Sequence, residues 1–201
     1  VCATGTLKVL QASKLNRCKR FVFAASSSAY GNTGNVPLDE NTLLDPLSPY
    51  ASSKLAGEFH AVAFARAMGL ETVRLRFFNI FGPKQNPNNP YAAVIPIFCK
   101  HFLENTVPRI FGDGLTSRDF TFVENAVQAN IKALLNFSPI YHTVLNVACG
   151  EQVSLNALVR LLQIKSDKMI MPEYFPERLG DVKHSKASID KIISVLNYQP
   201  N

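Results

Sequence analysis

Tyr50 and Lys54 stand four residues apart in Ser48-Pro49-Tyr50-Ala51-Ser52-Ser53-Lys54, a phenol and an ammonium that one turn of helix would bring onto a single face. A free tyrosine ionises near pH ~10 and is a poor base at neutrality, but a fixed cation beside it favours the phenolate and draws it toward working pH. So placed, Tyr50 is a candidate general acid/base. Alone, the pair also reads as a packed tyrosine and a solvated lysine. Its upstream context shifts the balance, because residues 21–25 form an apolar run that ends in Ser26-Ser27-Ser28-Ala29-Tyr30-Gly31, three hydroxyls ahead of the same helix.

The helix that must carry the pair is well marked. Ser48 suits the N-cap, Pro49 the first helical position, and Leu55, Phe59, Val62, Ala63 and Ala67 continue the apolar face until Gly69 ends it. Residues 21–25 are expected as a parallel strand covered on both faces, with ligands gathering at its carboxyl end. Before it, residues 2–15 fit an amphipathic helix packed on a sheet, with Leu7 and Leu10 inward. Residues 31–49 turn to Gly, Asn, Asp, Pro and Ser, a loop over the site. Residues 72–78 alternate as a further strand, so strand, helix and strand form a βαβ unit with a parallel sheet.

After Asn79 the elements shorten. A Pro- and Asn-rich loop over 79–90 precedes helices at 95–105 and 123–135, with short strands at 109–111 and 119–122 around Gly112-Asp113-Gly114. A strand at 144–147, a helix capped by Ser154 and running to Leu162, and a last helix capped by Ser188 and ending near Leu196 complete the expectation.

With 201 residues, 47% hydrophobic and 18% charged, the chain reads as an ordinary soluble globular protein with one good core. The net charge of +6 comes from dispersed lysines and arginines with no basic run interleaved with aromatics, which points away from nucleic acid and fits small anionic ligands or no special partner. Cys2, Cys18, Cys99 and Cys149 lie too far apart to signal a zinc site or a disulfide framework, and a reducing cytoplasm fits best. Neither a membrane-length apolar run nor a signal-peptide pattern is present. The chain begins at Val1 and contains no G-x-x-G-x-x-G or G-x-G-x-x-G, the phosphate-cradling loop of a dinucleotide fold.

Taken together, S-S-S-A-Y-G after a strand, then L-S-P-Y-A-S-S-K, then R-L-R-F-F-N-I-F-G-P, resemble the extended short-chain dehydrogenase/reductase family. The likeness is to its NAD-dependent epimerase/dehydratase branch and its nucleotide-sugar 4-epimerases, over essentially the whole chain. The resemblance implies an α/β fold: the C-terminal part of a Rossmann-like doubly wound parallel sheet with a smaller α/β substrate lobe. Residues 1–79 would form what remains of the NAD-binding unit with its Ser/Tyr/Lys site, and 80–201 mainly the substrate lobe, interleaved with Rossmann elements. It also implies a fragment lacking leading βαβ units of on the order of a hundred residues.

By that resemblance NAD is the cofactor, and Tyr50 and Lys54 are both catalytic and cofactor-contacting, with Phe77 beside them. Ser26 and Ser27 would act on the reacting sugar, and Ser28 would help bind it, although a serine-rich strand end is the plainer alternative. Dehydratases of the family carry Asp-Glu where this chain has Ser27 and Ser28, which argues for oxidation and return over loss of water. Asn79, Arg118 and Arg178 would hold the diphosphate of a UDP-sugar, and Asp181 a ribose hydroxyl. Ala93 and Val94, in the stretch 91–96, would line the uracil pocket; an apolar helix start fits that pattern equally well. Family members often have E-G-D where this chain has Leu179-Gly180-Asp181.

Ser185 would face the C2 side of the sugar, where a small residue admits an N-acetyl group, or it merely caps a turn. The overall likeness is greatest to UDP-N-acetylglucosamine 4-epimerases, with UDP-glucose and UDP-galactose also in range. A homodimer is implied, paired through helices 2–15 and 49–68 with Phe59, Val62, Ala63 and Phe64 at the contact. Two other readings remain open at this point, a catalytically silent nucleotide-sugar binding protein and a reductase or dehydratase on the same scaffold.

Overall fold

The computed structural model describes residues 2–34, 36–89, 93–178 and 182–201. In chain order the elements are α1 (Cys2–Leu15), β1 (Arg20–Ser26), a 3-10 turn (Ser27–Tyr30), α2 (Pro49–Met68), β2 (Glu71–Phe77) and β3 (Ile80–Phe81). Then come α3 (Val94–Glu104), β4 (Arg109–Phe111), β5 (Ser117–Arg118), β6 (Thr121–Phe122), α4 (Val123–Leu135) and β7 (Thr143–Val147). Last are β8 (Val153–Ser154), α5 (Leu155–Ser166), β9 (Glu173–Phe175), β10 (His184–Ser185) and α6 (Asp190–Leu196).

The main sheet is parallel throughout, in the order β1-β2-β7, with Ser26 beside Phe77 and Phe77 beside Val147 at its carboxyl end. Its two faces are covered by different helices. Val73, Leu75, Leu145 and Val147 pack with Ala129, Ala133, Ile192 and Leu196 of α4 and α6. On the opposite face α2 lies over the sheet, with Thr72 donating to the Ala61 carbonyl. The charged positions of β2 are therefore buried as well, since Arg74 and Arg76 meet Glu58 of α2 instead of water. Alternation in a strand ordinarily marks one wet face; here a partner from another element makes the polar face dry.

α2 runs between the expected signals. Ser48 Oγ accepts from the Ala51 amide, Pro49 opens the helix, and Gly69 closes it in the left-handed region at φ 65°. Gly57 lets the helix approach β1, because a Cβ there would stand 2.5 Å from the Phe23 ring. α1 lies chiefly against α2 and only partly on the sheet, with Leu10 among Ala61, Phe64 and Leu70 and only Phe21 from the strand.

Several expectations shift in detail. β1 pairs only with β2 among the described residues and is an outer strand with Ala24 exposed, while its faces are covered as expected, Phe23 against α2 and Val22 toward α4. The stretch 119–122 is not one strand: Ser117–Arg118 pairs with β8 and β10, Thr121–Phe122 pairs with β3, and Asp119 turns its carboxylate inward between them. β4 pairs with β9 and not with its neighbours across Gly112-Asp113-Gly114. α5 continues to Ser166, where Asp167 closes it in the left-handed region. Ile189 occupies the cap of α6, while Ser188 one residue earlier donates to the Asp190 carboxylate. A separate core of Phe98, Phe102, Ile110, Leu158 and Val159 joins α3, β4 and α5. None of the described helices is long and apolar enough to cross a membrane.

Candidate active site

The carboxyl end of β1 runs directly into the 3-10 turn, and Ser26 caps that turn by accepting from the Ser28 amide. The two hydroxyls lie 2.8 Å apart, so each fixes the other's orientation. Gly31 ends the turn at φ 66°, where a Cβ would fall 1.9 Å from the Asp45 carbonyl oxygen. Only glycine fits there. Tyr30 is wholly buried beneath the serines and donates to Asn146 Oδ1 at 2.7 Å. Burial pushes its phenol up to about 12, although the Arg76 guanidinium beside it works against the rise.

Tyr50 projects from the first turn of α2, is 54% exposed and lines the main cavity. Lys54 donates to the Ala24 carbonyl at 2.9 Å, on the strand that leads into the serines. Its ammonium stands 6.0 Å from the Tyr50 ring centroid and 5.6 Å from that of Phe23. Lys54 thus ties the start of α2 to the end of β1 and places its charge beside the phenol ring.

Ser26, Ser27, Ser28, Tyr50, Lys54 and Phe77 line one cavity of about 560 Å³, together with Asn79, Arg118 and Ser185. The residues singled out from sequence as reacting and as sugar-facing therefore share a wall-to-wall space. Ser185, buried on β10 beside Arg118 of β5, reaches it from the small sheet. Asn79 adopts φ 39° and donates to the Asp119 carbonyl.

Arg118 is the hinge of the arrangement, donating to the carbonyls of Ser117 and Lys183 and bordering two further cavities. One, about 320 Å³, is lined by Asn79, Ala93, Val94 and Phe120 as well. The other, about 390 Å³, holds His101, Arg109 and Arg178 around Val94 and Phe111. Arg178 stacks on Phe111 with its guanidinium carbon 3.7 Å from the ring centroid. Such stacking sets the plane of the fork while leaving its edge for an anion. Asp181, Tyr91 and Ala92 lie outside the described residues.

Three residues that position this site carry no local sequence signal. Asp119 accepts from the amides of Cys149, Gly150 and Ala187, drawing three loops together next to Arg118. Burial raises its carboxyl above the usual range, and the three amides oppose that rise. Glu58 and Arg76 form a bidentate pair under the serine turn. The pattern S-R-D-F and the Glu four residues after Lys54 are legible in hindsight only as charged residues in otherwise apolar surroundings.

A model of the NAD dependent epimerase/dehydratase family matches residues 2–148. Among solved structures the chain is similar to a UDP-N-acetylglucosamine 4-epimerase from Methanobrevibacter ruminantium in complex with UDP-N-acetylmuramic acid. The TM-score there is 0.93 at 39% identity, covering 98% of this chain and 62% of that one. It is also similar to a UDP-glucuronic acid 4-epimerase from Bacillus cereus in complex with UDP-glucuronic acid and NAD, with a TM-score of 0.92 at 30% identity, over 100% of this chain and 62% of that one. A UDP-glucose 4-epimerase of Mycolicibacterium smegmatis is 30% identical over 100% of this chain and 63% of its own length. The chain thus spans roughly three-fifths of the relatives it matches, and their sugars differ.

Proposed function

Because the chain belongs to the NAD-dependent epimerase/dehydratase family, we propose that it carries the proton-transfer and sugar-nucleotide half of a UDP-sugar 4-epimerase. One observation carries this reading: the phenol, the ammonium and the serine hydroxyls share a single cavity with Asn79, Arg118 and Ser185. Inverting a carbon that has no acidic hydrogen calls for oxidation and re-reduction, and NAD, when bound, supplies the hydride exchange. The residues present fit that cofactor's reactive end. Lys54 spends one of its three N–H donors on Ala24 and keeps donors for ribose hydroxyls, and Phe77 offers an apolar wall on the same cavity.

Tyr50 takes the proton of the C4 hydroxyl and returns it, with the Lys54 charge beside it favouring the anionic form. The Ser26 and Ser28 hydroxyls hold the reacting oxygen, and no carboxylate stands at Ser27 or Ser28 to drive loss of water. Arg118 and Arg178 clamp the diphosphate across the two adjoining cavities, and Ala93 and Val94 flank the base. Ser185, small and facing the main cavity, supports acceptance of a 2-acetamido group, and UDP-N-acetylglucosamine is the substrate we favour.

In the full-length protein, Tyr50→Phe is expected to lower turnover by roughly a hundredfold or more while nucleotide-sugar affinity stays within a few-fold. Unchanged turnover would remove Tyr50 from the mechanism. The outward faces of α1 and α2, with Val9, Leu15 and Phe59 exposed, support a homodimer through these helices. Phe64 does not belong to that surface, being buried against α1.

A further inference from the structure

Glu58 lies on α2 four residues after Lys54, and its carboxylate is 1% exposed. It receives Arg76 Nε at 3.0 Å and a terminal guanidinium nitrogen at 2.8 Å, a planar two-bond clasp with a residue 3% exposed. Arg74 approaches the same carboxylate at 3.8 Å. The guanidinium of Arg76 also stands 4.8 Å from the ring centroid of Tyr30, inside the turn that holds Ser27 and Ser28. One side chain thus touches both elements that carry the reacting groups, and it precedes Phe77, which lines the cavity between them.

A pair so deeply buried is a weak choice for stability, because apolar residues of the same volume hold a fold as well or better. What it does supply is register. The buried residues of α2 are apolar apart from Glu58, with small Ala51, Gly57, Ala61 and Ala65 beside Leu55 and Phe64, and such non-directional contacts set neither rotation nor axial position sharply. A bidentate fork does both. We propose that the Glu58–Arg76 clasp is a positioning device that fixes the setting of α2 against the serine turn, so that the Tyr50 phenol meets the sugar oxygen held by Ser26 and Ser28. This rests on the reading of Tyr50 as the proton-transfer group.

The test is made in the full-length enzyme with Glu58→Leu/Arg76→Met, which removes both charges together, and with Glu58→Asp, which keeps them but shortens the reach. Both are expected to bind nucleotide sugar within a few-fold of the parent. Turnover should fall by about 10- to 100-fold at nearly constant KM, the scale of a misplacement of about 1 Å. Parental turnover in a folded double variant overturns the proposal; should that variant fail to fold, parental turnover in Glu58→Asp overturns it equally. Tyr50→Phe is measured alongside. Full loss there with parental rates in the clasp variants sinks the positioning role alone, whereas parental turnover in Tyr50→Phe sinks the proton-transfer assignment itself.

Discussion

Ser185 and Tyr30 differ in setting, one a small side chain lining the main cavity and the other wholly buried beneath the serines. Replacing Ser185 by Tyr in the full-length enzyme should fill the cavity it borders and suppress 2-acetamido substrates at least tenfold relative to UDP-glucose, read as a ratio of kcat/KM values. An equal effect on both sugars would show that another residue selects. Tyr30 makes a prediction about pH. Burial pushes its phenol from 10.0 up to about 12, so between those values the unfolded chain releases a proton that the folded chain keeps. Stability is therefore intact below pH ~10 and falls as pH rises toward about 12, by on the order of 3 kcal/mol from this group. Tyr198, raised in the same direction by burial, adds to the loss. Urea unfolding across this range should show the decline, and Tyr30→Phe should make it shallower, leaving the part due to Tyr198.

At the scale of elements, α2 decides where the phenol and ammonium sit, and its ends were legible because caps are local chemistry. Ser48, Pro49 and Gly69 announce themselves whatever they pack against. Ser48→Ala should cost about 1 kcal/mol of stability, measured by chemical denaturation, since it strands the Ala51 amide one residue from Tyr50. Gly57→Val should cost about 1 to 3 kcal/mol despite better helix propensity, because the added methyls enter the space of the Phe23 ring. Non-local dependence explains what was not legible. β8 and β10, two residues each, have no period to read and exist because β5 lies between them. The dry polar face of β2 required knowing that Glu58 would arrive from another element, and the break at Asp119 required knowing where Cys149, Gly150 and Ala187 would be.

For the whole molecule, the site draws together distant parts of the chain, the serines, Tyr50 and Lys54 from β1, its turn and α2, and Arg118 and Ser185 from the small sheet β10-β5-β8. Two copies of the full-length protein should sediment as a dimer at micromolar concentration, and Phe59→Lys, at a position 60% exposed on α2, should shift that equilibrium toward monomer. A wholly monomeric parent would rule out the α1/α2 contact. The parallel pairing of β2 with β7 has a kinetic consequence. Val73 meets Thr143 only after the chain has passed through α3, the short strands and α4, so this long loop must close before the third strand docks. The unit from α1 to β2 has near-neighbour contacts and should gain hydrogen-exchange protection early in refolding, whereas β7 and α6 should gain it late and together. Until they do, Val73 and Leu75 lack part of their apolar cover, and surface exposed in this way favours aggregation during refolding.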